Sequence, residues 1–368
     1  MFRMNTILIS TSRFGTPIPD YFKFLGEELR TNNFSVIFIF DGSVKDLPLN
    51  EKNIKYFTYP NGRPTKLKDF IFISRIIAKE NPILCISNFG STNVVSIASY
   101  IFRVSNRINY LHTSPYQIKI DAKRPFIIDW FLQKRKKIIL KLNTHLLTNS
   151  KKMLNIISNF YRIERNKISV QPYLLKKSKI KCKNFNSREF SICIVGRLAL
   201  SKGHENLLYA FSDCVKIHPK LKLIIVGDGP EKEKLKSLSK LLNLEKHVAF
   251  LGMIPNKDIG RVFSNCLLSI SASKSEAFGI VNIESFRSGT PIICTKTEGS
   301  RDIIDPGKNG FFVDLMKKND LSKTISRIIK DWDFFSANAL HTFNEKYSEN
   351  KISSHADKII DIIINEGK

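Results

Sequence analysis

The sequence contains no CxxC pair and no HExxH. Its six cysteines, at 85, 182, 193, 214, 266 and 294, lie mostly in apolar runs such as Ile192-Cys193-Ile194. Buried free thiols in a reducing compartment are therefore expected, with neither a disulfide framework nor a structural zinc site. Long apolar runs are also missing. The uncharged stretch within residues 81–103 is broken by Asn, Ser and Gly, and the run at 70–77 is cut by Arg75. Neither approaches the roughly 18 to 20 apolar residues needed to span a bilayer. The opening Met-Phe-Arg-Met-Asn has one cation, and Ile7-Leu8-Ile9 is too short for a signal peptide, so a cytoplasmic protein is expected. Acidic residues are scarce, with 33 Asp+Glu against 59 Lys+Arg, a net charge of +26 over 368 residues. Apolar types still make up 42% of the chain, enough for a buried core and against global disorder.

The charge is uneven. Residues 1–185 carry +21 and residues 186–368 carry +5. The change falls in the cation-rich stretch Lys176-Lys177 to Arg188, which has no helix or strand period and reads as a linker. The expected division is a first domain over 1–175, a linker at 176–188, a second domain over 189–345, and a terminal helix at 346–368. Short apolar strands alternate with helical segments in both halves, the pattern of parallel sheets wound with helices. Strands are expected at 6–10, 35–40, 83–87, 107–111, 145–148 and 167–170, then at 191–195, 221–226, 248–251, 267–271, 291–295 and 310–313. Ligands of such sheets bind beyond the carboxyl ends of the strands, so function is sought there.

The strand at 191–195 runs into Gly196-Arg197-Leu198, with Lys202-Gly203 just before a helix. Two cations at a strand's carboxyl end can neutralise a diphosphate. Gly227-Asp228-Gly229-Pro230 has a G-x-G but no third glycine, and is a tight turn rather than a dinucleotide fingerprint. In the string from Ser271 to Pro291, Gly279 opens a helix, so the amides of Phe278, Gly279, Ile280 and Val281 would face an anion or a sugar hydroxyl. Glu276 precedes that helix and Glu284 lies inside it, and either carboxylate can bind a vicinal diol with both oxygens. The loop Thr297-Glu298-Gly299-Ser300 would adjoin them. In the first half, Arg13-Phe14-Gly15 follows the first strand and His112 ends the strand at 107–111.

E-A-F-G-x-x-x-x-E, preceded by V-G-R-L-x-x-x-K-G and V-G-D-G-P-E and followed by E-G-x-x-D-I-I-x-x-G-x-N-G-F-F-V, closely resembles the family 4 glycosyltransferases. These are retaining enzymes of the GT-B fold that use nucleotide-sugar donors. The resemblance is dense over residues 190–330. It implies an α/β architecture of two Rossmann-like domains facing across a cleft, with a C-terminal helix crossing back. It also implies that Arg197 and Lys202 hold the donor diphosphate, Glu284 the ribose, and Glu276 the donor sugar near its 3-hydroxyl. Backbone at Phe278, Gly279, Ile280 and Val281 would meet sugar and phosphate, and Met253 and Ile254 would lie near the base. Gly15 would let the first loop approach the phosphates, and His112 would sit by the sugar. The catalytic set so implied is His112, Glu276, Arg197 and Lys202. The first half matches more loosely: Phe14-Gly15-Thr16 replaces a double glycine, and Val170-Gln171-Pro172-Tyr173-Leu174 lacks the usual Asn and Gly. Asp331-Trp332-Asp333 spells a DxD, but it follows the last strand and reads as a helix cap. With Arg and Lys on the diphosphate, no metal or other cofactor is expected.

Residues 119–152 interleave Lys123, Arg124, Lys134, Arg135, Lys136 and Lys137 with Trp130, Phe131 and other apolar residues. Two readings fit: a basic amphipathic helix on an anionic membrane, or a solvated helix whose apolar side is core. The expected function is transfer from a nucleoside-diphosphate sugar, UDP favoured, to a saccharide acceptor, lipid-linked or of lipopolysaccharide type, at the inner face of a bacterial plasma membrane. Two alternatives are an inactive partner subunit of the same fold and a basic nucleic-acid-binding protein. The second has no recognised binding motif and leaves the string between Glu276 and Glu284 unexplained, so no nucleic-acid partner is expected. A GT-B epimerase or phosphorylase is a further enzymatic alternative.

Overall fold

The computed structural model describes residues 4–41, 47–122 and 124–365. The chain divides into two compact units. The first comprises residues 1–112, 124–174 and 349–368, and the second residues 113–123 and 175–348.

The first unit is built on a seven-stranded parallel sheet: β1 (Thr6–Ser12), β2 (Ser35–Asp41), β3 (Ile54–Thr58), β4 (Leu84–Ser87), β5 (Asn106–Leu111), β6 (His145–Thr148) and β7 (Ile168–Val170), in the order β3-β2-β1-β4-β5-β6-β7. Ile7, Leu8 and Ile9 are completely buried. Strands covered on both faces need continuous apolar runs, which explains why the period-two alternation is absent here. The helix Pro17–Thr31 starts with proline at its first turn, where the missing N–H costs nothing. It holds the terminal helix Ile352–Asn365 through Tyr21 Oη to His355 Nδ1 at 3.1 Å, and Ser353 Oγ donates to Glu28 Oε1 at 2.7 Å.

The second unit has a six-stranded parallel sheet: β8 (Glu189–Val195), β9 (Lys222–Val226), β10 (Val248–Gly252), β11 (Cys266–Ser271), β12 (Ile292–Cys294) and β13 (Gly310–Phe312), in the order β10-β9-β8-β11-β12-β13. Leu207, Leu208 and Phe211 of the helix His204–Ile217 and Ile325 and Ile328 of Asp320–Lys330 cover one face. Strand order reverses between β1 and β4 in one sheet and between β8 and β11 in the other. Loops leaving the sheet at such a reversal diverge and open a crevice.

Three expectations are corrected. The stretch 176–188 is not a free linker but packs on the second unit. Arg188, 8% exposed, donates to the carbonyls of Phe263, Cys266, Ser288 and Gly289 and to Thr290 Oγ1, and its guanidinium lies 4.7 Å from the Trp332 ring centroid. Residues 113–123 belong with the second unit rather than the first, and the return to the first unit falls at Glu349 rather than 346. Asp331 is the N-cap of the helix Trp332–Lys346, and Trp332 is buried with its indole N–H donating to Leu267 O at 2.7 Å. Among the described residues, no helix is long and apolar enough to cross a membrane.

Candidate functional site

The loops leaving β8 and β11 at the reversal of the second sheet carry most of the sequence-predicted residues. Lys274 N donates to Ser201 O at 2.7 Å, tying one loop to the other. They approach so closely at Gly203 (φ +68°) that a Cβ there would stand 2.0 Å from Ala272 O. That proximity brings Lys202 and Glu276 together: the ammonium donates to Glu276 Oε2, which also accepts from Ser273 Oγ at 3.3 Å. Glu276 Oε1 has no bond among the described residues and is the oxygen available to a ligand hydroxyl. Arg197 is exposed at the start of the same loop, also without a side-chain partner among the described residues.

Gly279 is the N-cap of the helix Ile280–Arg287, so the amides of Ile280 and Val281 lie in a first turn for which the helix supplies no acceptor. Glu284 projects from this helix into the interior, 5% exposed, with Arg287 Nη2 3.9 Å from its Oε1. Burial pushes its carboxyl up to about 7, against the pull of Arg287. The third loop closes on the second through Gly299, where a Cβ would stand 2.3 Å from Phe278 Cα. Glu298 Oε2 then accepts from Glu276 N at 3.0 Å, and both its oxygens accept from Ser275 Oγ. Ser201, beside Lys202, donates through N and Oγ to Asp121 at 3.0 and 2.8 Å. A small cavity is lined by Gly196, Lys202, His204, Ser271, Glu276 and Asn282. Both ring nitrogens of His204 are buried without a partner, and burial, then Lys202, push its imidazole down to about 4. Met253 is 80% exposed beyond β10, while Ile254 packs against the core cluster that holds Phe263 and Val226.

In the first unit, Gly15 (φ +108°) lies between β1 and the first helix, its N–H bonded to Asp20 Oδ1 at 2.7 Å. His112 stacks on Phe89 with centroids 4.4 Å apart, and its Nδ1 bonds the hydroxyl of Tyr173. Burial, then the Lys136 ammonium, push its imidazole down to about 3, so it is neutral at pH 7. The helix Phe126–Lys141 exposes Phe126, Ile127, Trp130 and Phe131 together with Arg124, Lys134 and Arg135, and buries Ile139 and Leu140. Lys134 lies 5.2 Å over the Trp130 ring. Lys136 and Lys137 are half-buried, so they do not share the exposure of the other cations. Lys123 lies outside the described residues.

Residues 176–351 match the family model "Glycosyl transferases group 1". The chain carries a group 1 glycosyltransferase domain. The D-inositol 3-phosphate glycosyltransferase of Corynebacterium jeikeium is 31% identical over 149 residues, 39% of this chain and 36% of that protein. The chain spans 25% to 45% of the length of four curated relatives it matches. Two solved structures share the fold: a sucrose-phosphate synthase from Thermosynechococcus elongatus (TM-score 0.80, 18% identity, 98% of this chain and 100% of that one) and Anabaena Alr3699/HepE in complex with UDP and glucose (TM-score 0.75, 18% identity, 98% and 100%). The fold is GT-B.

In the second unit, two positioning groups escape sequence reading. Asp121 is remote in sequence from everything it touches. Glu298 stood in a loop whose neighbourhood was legible, but its bond to the Glu276 amide was not.

Proposed function

We propose that the chain is a retaining glycosyltransferase that moves a sugar from a nucleoside-diphosphate sugar, UDP favoured, to a saccharide acceptor. The observation that carries this reading is the Lys202–Glu276 pair beside the helix opened by Gly279, at the strand reversal of a group 1 domain. Arg197, Lys202 and the first-turn amides would meet the diphosphate. The bond between the anomeric carbon and the phosphate oxygen breaks, and the nucleoside diphosphate leaves with the electron pair. The acceptor oxygen bonds the same carbon on the same face, and its proton passes to the departing phosphate oxygen. Fixed positive groups stabilise that developing charge more than the ground state, and so no metal is called for. Glu276 holds a sugar hydroxyl through Oε1, Glu284 the ribose hydroxyls, and the loop carrying Met253 and Ile254 the base. The Anabaena HepE structure, solved with UDP and glucose, supports the choice of base.

The first unit binds the acceptor, and its exposed Phe126, Ile127, Trp130 and Phe131 among Arg124, Lys134 and Arg135 dock on the anionic inner leaflet. Each cation near such a surface contributes about 1 kcal/mol. The acceptor is then a lipid-linked saccharide of bacterial surface polysaccharide synthesis. The test is to incubate the protein with UDP- and GDP-sugars and follow donor hydrolysis and transfer, with and without EDTA. UDP release that persists under chelation is expected; activity abolished by EDTA and restored by manganese would overturn the metal-free mechanism. Flotation with anionic but not neutral liposomes, lost at high salt, is expected for the docking face.

A further inference from the structure

His204 is the first residue of the helix His204–Ile217, and it follows the Gly203 that presses against Ala272 O. It is 2% exposed, and neither ring nitrogen has a partner among the described residues. Burial keeps the imidazole neutral at pH 7, so one nitrogen carries a hydrogen and the other a lone pair. Asn282, in the first turn of the helix Ile280–Arg287, is 1% exposed. Its Nδ2 donates to Cys294 Sγ at 3.5 Å and packs against Gly279, where a Cβ would stand 2.7 Å away. Those contacts orient the amide, and its Oδ1 is left buried without a partner. Such atoms have given up their hydration, and native structures supply them with a hydrogen-bonding group.

Both side chains line one cavity of about 20 Å³, and Lys202 and Glu276 line it with them. One water needs roughly 10–15 Å³ of such space, so the cavity admits a single oxygen-sized group. Ser269, Ser273 and Lys202 are engaged already: Ser269 Oγ lies 2.6 Å from Ser285 Oγ, Ser273 Oγ donates to Glu276 Oε2 at 3.3 Å, and the ammonium donates to the same carboxylate oxygen. The buried unpartnered atoms around the cavity belong to His204 and Asn282. Asn282 Oδ1 is an acceptor and must be met by a donor, which excludes a phosphate oxygen or any other anion. An O–H group satisfies both residues, donating to Oδ1 and accepting from the imidazole N–H.

We propose that His204 and Asn282 form a hydroxyl subsite beside the Lys202–Glu276 pair, taking one O–H group between them. This rests on the glycosyltransferase reading and deepens it. Two sources share that chemistry. Where the group belongs to the donor sugar, His204 and Asn282 help to select which sugar is accepted. Where it is a water, they are positioning residues that steady the loops carrying Lys202 and Glu276 without touching the donor.

The test titrates the full-length protein calorimetrically with UDP and, separately, with UDP-glucose. His204→Leu and Asn282→Leu should each weaken UDP-glucose binding about threefold to tenfold, the scale of one hydrogen bond left unmade. Because both residues hold the same group, the double variant should be little worse than either single one. His204→Gln, which keeps a donor and an acceptor, should restore part of the affinity, and Tyr209→Ala, exposed on the same helix, should leave it unchanged. Weakening confined to UDP-glucose assigns the group to a sugar hydroxyl. Equal weakening of UDP and UDP-glucose assigns it to a water that steadies Lys202. Wild-type affinities in both single variants, or losses that add in the double one, would overturn the subsite and leave the donor reading standing. Wild-type protein that binds neither ligand fells the donor reading instead. The subsite is then read from urea midpoints of the unliganded variants, where losses that do not add support a held water, and additive or absent losses overturn it.

Discussion

At the carboxyl edge of the second sheet, charged groups have found one another. Lys202 is paired with Glu276, Glu298 holds the Glu276 amide, Asp121 holds Ser201, and Arg287 stands near Glu284. At the corresponding edge of the first sheet the groups are polar or aromatic and several remain unsatisfied, among them the Asn88 amide and His112 Nε2. Under the proposed transfer, these pairs would prearrange the second unit for a reaction in which charge develops beside Lys202, and electrostatic preorganisation costs nothing further at the moment of reaction. The first has polar capacity in reserve for a ligand that supplies its own acceptors.

The sharpest way to break that contrast is to remove the second unit's cations. Lys202→Ala or Arg197→Ala should lower turnover about tenfold to a thousandfold, the scale of one lost electrostatic contact in an active site. Release of UDP from a UDP-sugar is the measurement. Wild-type rates in both variants would remove the diphosphate from this loop.

Packing tests the same edge. Gly203→Ala places a methyl 2.0 Å from Ala272 O at a positive φ, so the two loops must separate. A loss of about 1–3 kcal/mol is expected for such a strained position, read as a lower urea midpoint. An unchanged midpoint would show that the loops yield without cost.

Acid should separate the units. His112 and His355 in the first unit are pushed down to about 3 by burial. Below their unfolded value of about 6.5, the unfolded chain binds protons that the native one refuses, so stability falls as pH falls, by about 2 kcal/mol per histidine at pH 5. Asp41, raised by burial, offsets part of this. In the second unit His204 acts in the same direction, but Glu284, raised to about 7, acts oppositely: between about pH 7 and 4.5 its native form holds a proton that the unfolded form gives up. The first unit should therefore unfold first on acidification. The two tryptophans make this measurable, because Trp130 belongs to the first unit and Trp332 to the second. In Trp332→Phe the remaining fluorescence should change at a higher pH than in Trp130→Phe, and coincident transitions would refute the assignment.

Much of this was legible in the sequence. Twelve expected strands coincide with observed ones to within two residues at either end, because buried parallel strands write themselves as short apolar runs. β3 was missed because Ile54–Thr58 is an edge strand with Lys55 turned out to Glu80, so its apolar run is interrupted. The loops leaving β8 and β11 were readable because their glycines and charges lie within a few residues of each strand end. Arg188 was not: in sequence it is one more cation in a basic stretch, and only the carbonyls of 263–266 and 288–289 and the Trp332 ring gathered around it make it a core residue. Lys136 failed similarly, since its helix period alone could not say which face was buried.

The mildest expected effect concerns Asp121, which touches no proposed ligand and acts only through Ser201. The carboxylate accepts two bonds from Ser201, and an amide can accept only through its oxygen, so Asp121→Asn should leave one of them unmade. Because Lys202 is the next residue, the loss should loosen the ammonium rather than remove it. A threefold to tenfold fall in kcat/KM is expected, about 0.7–1.4 kcal/mol, carried mainly in KM for the donor. Ser201→Ala deletes the hydroxyl that meets the same carboxylate, and residues sharing one interaction do not add. The double variant should therefore be little worse than either single one. Additive losses would mean that Asp121 acts elsewhere, and that the prearrangement of Lys202 owes nothing to the segment 113–123.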